Sequence, residues 1–156
     1  MDARRSGCLL AFGFFVLGLT SCAPSLPTLT TQATSLGTAC DHAVERFATT
    51  PTKALRQDVL DRLKALNAAL IETAEHEQQA RRFNSVDLPD ANRALLETGT
   101  AWGTCSLRYN GVLVAIGERD AARYNYRGLL ERLTGPQFTP ITRKIRAALA
   151  ALNGSR

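Results

Sequence analysis

The sequence is short of the residues from which active sites are assembled. Its 156 residues include two histidines, one Trp, one Met and three Tyr. Neither His42 nor His76 has Glu three residues before it, so the Glu-x-x-His pairs of a di-iron bundle are absent. HExxH, the helix motif of zinc hydrolases, is absent as well. Glu72 and His76 stand four apart and can share a helix face, but one such pair is too little to hold a metal. There is no GxSxG elbow and no glycine-rich phosphate loop following a strand. There is no CxxC for thiol exchange and no CxxCH for a c-type haem. Asp58 and Asp61, beside Arg62 and Lys64, read as surface groups carrying local salt bridges. No catalytic residue, metal or cofactor is therefore assigned, and an enzyme is the less favoured class.

Long hydrophobic runs are missing too. The apolar stretch Leu9 to Leu19 has eleven residues, whereas a membrane-crossing helix needs about 20. Arg4 and Arg5 precede it and small polar residues follow, which is the pattern of an export signal. The run ends in Leu19-Thr20-Ser21-Cys22. That tetrad resembles the lipobox of bacterial lipoproteins: an aliphatic residue, two small residues, then the cysteine that is lipidated. The resemblance implies a diacylglycerol on the Cys22 sulfur, cleavage just before it and an acyl chain such as palmitate on the new amine. Ala23 follows in place of the Asp that retains such proteins at the inner membrane, so the implied address is the periplasmic face of the outer membrane. The resemblance ends at Cys22 and covers none of the folded domain. The plain alternative is a soluble exported protein cut near Ala23. Each buried methylene contributes about 0.8 kcal/mol and one chain holds only marginally, whereas two or three on Cys22 would hold permanently.

Three segments are expected: residues 1–21 as signal peptide, 22–30 as lipidated cysteine and short tether, and 31–156 as a helical domain. Cys8 leaves with the signal. Cys40 and Cys105 remain, in a compartment that favours disulfides. A bridge between them would close a loop of roughly 65 residues, for a chain-entropy stabilisation of about 4 kcal/mol. Two buried unpaired thiols are the alternative.

Strand-like alternation is lacking, and Ala and Leu dominate, which favours helices. No repeat of solenoid length occurs. Helix one is expected from Leu29–Gln32 to Phe47, with Ala33, Leu36, Cys40, Ala43, Val44 and Phe47 as its stripe and Gly37 weakening it. Thr50 as cap and Pro51 as first residue should start a long helix two running to about Phe83, some 50 Å at about 1.5 Å per residue. Its stripe is Leu55, Val59, Leu63, Leu66, Leu70, Ala74, Glu77 and Ala80. Asp90 is the expected cap of helix three, whose stripe puts Cys105 beside Trp102 and Tyr109. Asn110-Gly111 could mark a turn, but neither flank alternates, so a continuous helix is preferred. Ala121 to Leu133 forms another helix. Thr139-Pro140 repeats the cap-and-proline device before a last one with Ile141, Ile145, Leu149 and Leu152 on one side. The expected architecture is all-α, a four- or five-helix bundle with one long helix.

Charge is unevenly spread. From Cys22 to Glu118 there are nine basic and eleven acidic residues; from Arg119 to Arg156 there are eight and two, a net +6. Arg119, Arg123 and Arg127 are four apart on one helix face, and Arg143, Lys144 and Arg146 sit on the last helix. These six form a candidate basic interaction surface. An acidic partner protein, anionic lipid headgroups or cell-wall polymer would suit it, and so would plain solvation. Nucleic acid suits the charge but not the address.

The sequence therefore points to a membrane-anchored structural or adaptor subunit that binds an envelope protein or assembly. A small-ligand-binding or enzymatic bundle is the alternative. The mass of the native N-terminus checks the anchor: Cys22 is expected to carry acyl chains. A Cys22→Ser chain that kept the acyl mass would overturn the assignment.

Overall fold

The computed structural model describes residues 26–154, so the lipobox and Cys22 lie outside the described residues. The expected all-α bundle is what it contains. Its five helices are α1 (Leu26–Thr49), α2 (Lys53–Arg82), α3 (Leu88–Ala115), α4 (Arg119–Arg132) and α5 (Thr139–Gly154), and a 3-10 turn at Pro136–Phe138 leads into α5. No strand occurs among the described residues. Short connections make successive helices antiparallel. α1, α2 and α3 form a mutually packed trio, and α4 and α5 pack on each other and on α3.

The expected stripes are the buried ones. Ala33, Cys40, Ala43, Val44 and Phe47 of α1 are buried, as are Val59, Leu66 and Ala80 of α2 and Ile141, Ile145 and Leu152 of α5. α3 is buried over a wider arc than one stripe, adding Ala94, Gly103, Ser106 and Asn110. Its polar members are made compatible with burial by their own helix. Thr98 Oγ1 donates to the Ala94 carbonyl at 2.8 Å and Asn110 Nδ2 to the Ser106 carbonyl at 2.9 Å. Cys40 and Cys105 are joined, with their Cα atoms 6.1 Å apart, tying α1 to α3.

Several boundaries differ from expectation. α1 begins at Leu26, inside the expected tether. Pro27 does not prevent this, because a first-turn residue has no intrahelical use for its N–H. The cap of α2 is Thr52 rather than Thr50. Thr52 has extended backbone and its hydroxyl accepts from the Leu55 N–H at 3.3 Å, leaving Pro51 just outside the helix. α3 starts at Leu88, so Asp90 stands in its first turn instead of capping it. Thr139 is already helical, and its hydroxyl donates to the Pro136 carbonyl at 2.7 Å. Asn110-Gly111 interrupts nothing.

Two helices end in the same way. After α2, Asn84 adopts φ 49°, and the Ser85 and Asn84 N–H groups return to the Ala80 and Arg81 carbonyls. After α3, Gly117 adopts φ 91°, and Glu118 and Gly117 return to Leu113 and Val114. These paired bonds satisfy carbonyls that a helix end otherwise leaves open.

Gly99 and Gly103, one turn apart on α3, bring the C-terminal hairpin close. A Cβ on Gly99 would lie 2.3 Å from Phe138 Cε1, and one on Gly103 would lie 2.8 Å from Ile141 Cγ1. Gly111 has nothing within 4 Å of such a Cβ. Denaturant unfolding should therefore give opposite signs for one chemical change. Gly99→Ala is expected to destabilise by about 1–3 kcal/mol through overpacking. Gly111→Ala is expected to stabilise by about 0.5–1 kcal/mol through helix propensity. Equal effects would refute the close approach.

Candidate functional site

α2 and α4 both lie against α3 but make no close backbone contact with each other. Between them runs an open groove of about 620 Å³ with α3 as its floor. Leu60, Leu63, Lys64 and Asn67 supply the α2 wall, Trp102, Ser106, Tyr109 and Asn110 the floor, and Tyr124 to Arg132 most of the α4 wall. Leu60 is 40% exposed and Tyr124 80% exposed, so each rim presents an apolar or aromatic group to solvent.

The groove is braced at both ends. Arg132 Nη1 donates to Asn67 Oδ1 at 3.0 Å, crossing from α4 to α2, and the guanidinium lies 5.9 Å from the Trp102 ring centroid. At the other end Arg56 of α2 pairs with Glu118, which precedes α4, and lies 5.5 Å over the Phe47 ring. The hydrogen bond to Glu118 raises the Arg56 pKa. On the floor, Asn125 Nδ2 donates to Asn110 Oδ1 at 2.8 Å, fixing the orientation of a nearly fully buried amide.

Cations outnumber anions in this lining. Lys64, Arg127 and Arg132 face one carboxylate, Glu131, and no imidazole lines the groove among the described residues. Lys64 has no ion pair among them either: Asp58 pairs with Arg62 at 3.3 Å and with Arg46, and Asp61 accepts from Gln57 at 3.0 Å. Burial raises the pKa of Tyr109, so its phenol stays neutral at neutral pH. The lining thus offers cations, amides and aromatic faces.

The six basic residues singled out from sequence are divided among three places in the fold. Arg123 donates to Asn153 Oδ1 on α5 at 3.1 Å and pairs with Asp120, so it is engaged within the fold. Arg119 is half-buried and lines a surface concavity together with Arg123. Arg127 lines the α2–α4 groove. Arg143, Lys144 and Arg146 are exposed on α5. Lys64, Asn67, Asn125 and Arg132 were not singled out. The one available signal was the unbroken helix through Asn110, which forces a polar residue onto a buried face. The Glu72–His76 pair is not formed; His42 instead meets Glu45 at 3.4 Å on an exposed face. No metal-binding group of three ligands occurs among the described residues.

A second cluster joins α1 to α3 beside the disulfide. Arg108 reaches Asp41 at 2.8 Å and Glu45 at 3.0 Å. The hydrogen bond from Arg108 holds the Glu45 carboxyl below the usual carboxylate range. A lowered folded-state pKa means the ionised form favours folding. Its contribution is present above the unfolded value of about 4.3 and is lost as pH falls through the folded one. The melting-temperature difference between the native chain and Glu45→Gln is therefore expected at neutral pH and should vanish in acid. A difference that grew on acidification would contradict the assignment.

Comparison with protein-family models, with curated proteins and with solved structures returns no match.

Proposed function

We propose that the protein is a lipid-anchored adaptor of the bacterial envelope, held by Cys22 at the periplasmic face of the outer membrane, and that it binds a partner protein in the α2–α4 groove. The observation that carries this reading is the lining of that groove. It is open and cationic, with Leu60 and Tyr124 exposed at its rims. Such a surface suits an amphipathic segment with acidic residues, seated by apolar anchors and oriented by Lys64, Arg127 and Arg132. Arg143, Lys144 and Arg146 extend the positive field on α5 and would steer the same partner. A small anionic ligand is the second reading, favoured by the three cations in the lining, Lys64, Arg127 and Arg132.

Crosslinking and capture from membranes, with the lipid anchor intact, tests the adaptor. One protein should be enriched over a control lipoprotein, and Lys64→Glu with Arg127→Glu should abolish the enrichment. No enrichment over the control would remove the reading. Enrichment that survives those changes but is lost with Arg143→Glu, Lys144→Glu and Arg146→Glu would keep the adaptor and move its site to α5.

A further inference from the structure

One end of the bundle is defined by the pairing of α1 with α3. Gly37 lies against Ala101, Cys40 is bonded to Cys105 and Glu45 meets Arg108. The two helices therefore run parallel, with each α1 residue level with one on α3 separated from it by 63 to 65 positions. That register puts Leu26, the first residue of α1, level with the first turn of α3. The turn joining α2 to α3 consequently projects past the start of α1, at the same end of the bundle.

This turn is rigid and apolar at its tip. The left-handed Asn84 and the return of the Ser85 N–H to Ala80 fix its path. Phe83 is 69% exposed and Val86 93% exposed. A fixed turn that leaves most of a Phe and a Val in water buries little of either within the fold. Arg81 is paired with Glu77, and Arg93 lies 3.8 Å from Asp90. Arg82 lies 5.8 Å from the Phe83 ring centroid and has no ion pair among the described residues. Asp87 is the one carboxylate within the turn, and it accepts from the Ser85 hydroxyl at 3.1 Å.

Three residues separate Cys22 from Leu26. At about 3.6 Å per residue, the chain between their Cα atoms spans at most about 14 Å. A lipid on Cys22 therefore holds this end of the bundle at the bilayer surface. We infer that the α2–α3 turn is a membrane-contact tip: Phe83 and Val86 enter the headgroup boundary of the bilayer that holds Cys22, and Arg82 meets its anionic phosphates. An aromatic and a neighbouring arginine are the side chains that suit this depth, one with its ring among the headgroups and one with its charge at their surface. The inference rests on the lipid-anchor reading. Its consequence is an upright bundle, with the α1–α2 turn directed away from the membrane.

The test uses the full lipidated chain in vesicles of phosphatidylethanolamine and phosphatidylglycerol. Val86→Cys, and separately Thr50→Cys at the far end, would carry an environment-sensitive fluorophore; both positions are exposed, so neither change disturbs packing. The expected result is a blue shift and quenching by doxyl-labelled phospholipid at position 86, with neither at position 50. Vesicle-bound chain with no quenching at position 86, or with equal quenching at both positions, would overturn the tip while leaving the anchor intact. A chain that lacks acyl mass and fails to float with the vesicles would remove the anchor, and the tip with it.

Discussion

The seating of Phe138 on Gly99 and of Ile141 on Gly103 sets how closely the C-terminal hairpin approaches α3. Without a side chain at those two positions, α5 and the turn before it come nearly to the α3 backbone. α4, packed on α5, is then held beside α3 on the flank that α2 leaves open. The groove is the gap that results. α2 and α4 make no close backbone contact of their own across it. Arg132 to Asn67 and Arg56 to Glu118 then span that gap with side chains.

The same constraint explains why α3 has so much polar chemistry inside it. A helix packed on three sides must bury residues beyond one apolar stripe. Thr98 and Asn110 meet that demand by donating to carbonyls one turn back, so each is buried without an orphaned donor. Asn110 then has its carbonyl oxygen free for Asn125, which turns a packing solution into a polar floor. The disulfide and Arg108 fasten the other side of α3 to α1.

The architecture was legible because helical spacing is a local property. The steps of three and four through Ala33 to Phe47 and Leu55 to Ala80 identify faces before any partner is known, and those faces are buried or half-buried. Caps were less legible, because Thr50 and Thr52 both flank Pro51 and only the backbone path decides which hydroxyl meets an N–H. Gly37, Gly99 and Gly103 carry no weight in a hydrophobic pattern, although each lies at a close approach between elements. The groove was illegible for a different reason. It depends on two helices that do not touch, so no pattern within either one encodes it. Steps of four put Arg119, Arg123 and Arg127 in a line along α4, but the line divides between the α5 side and the groove once the neighbours are in place.

The cross-link between Cys40 and Cys105 has a consequence for how the molecule yields under stress. The covalent loop it closes contains the end of α1, all of α2 and most of α3 up to Cys105. α4 and α5 lie wholly outside it. Opening the C-terminal hairpin therefore leaves the trio's covalent topology untouched, whereas unfolding the trio must work against a shortened chain. One wall of the groove belongs to the looped unit and the other to the unlooped one. Hydrogen exchange at the amides of α4 thus reports the breathing of the cleft itself, separately from the protection of the body that carries it.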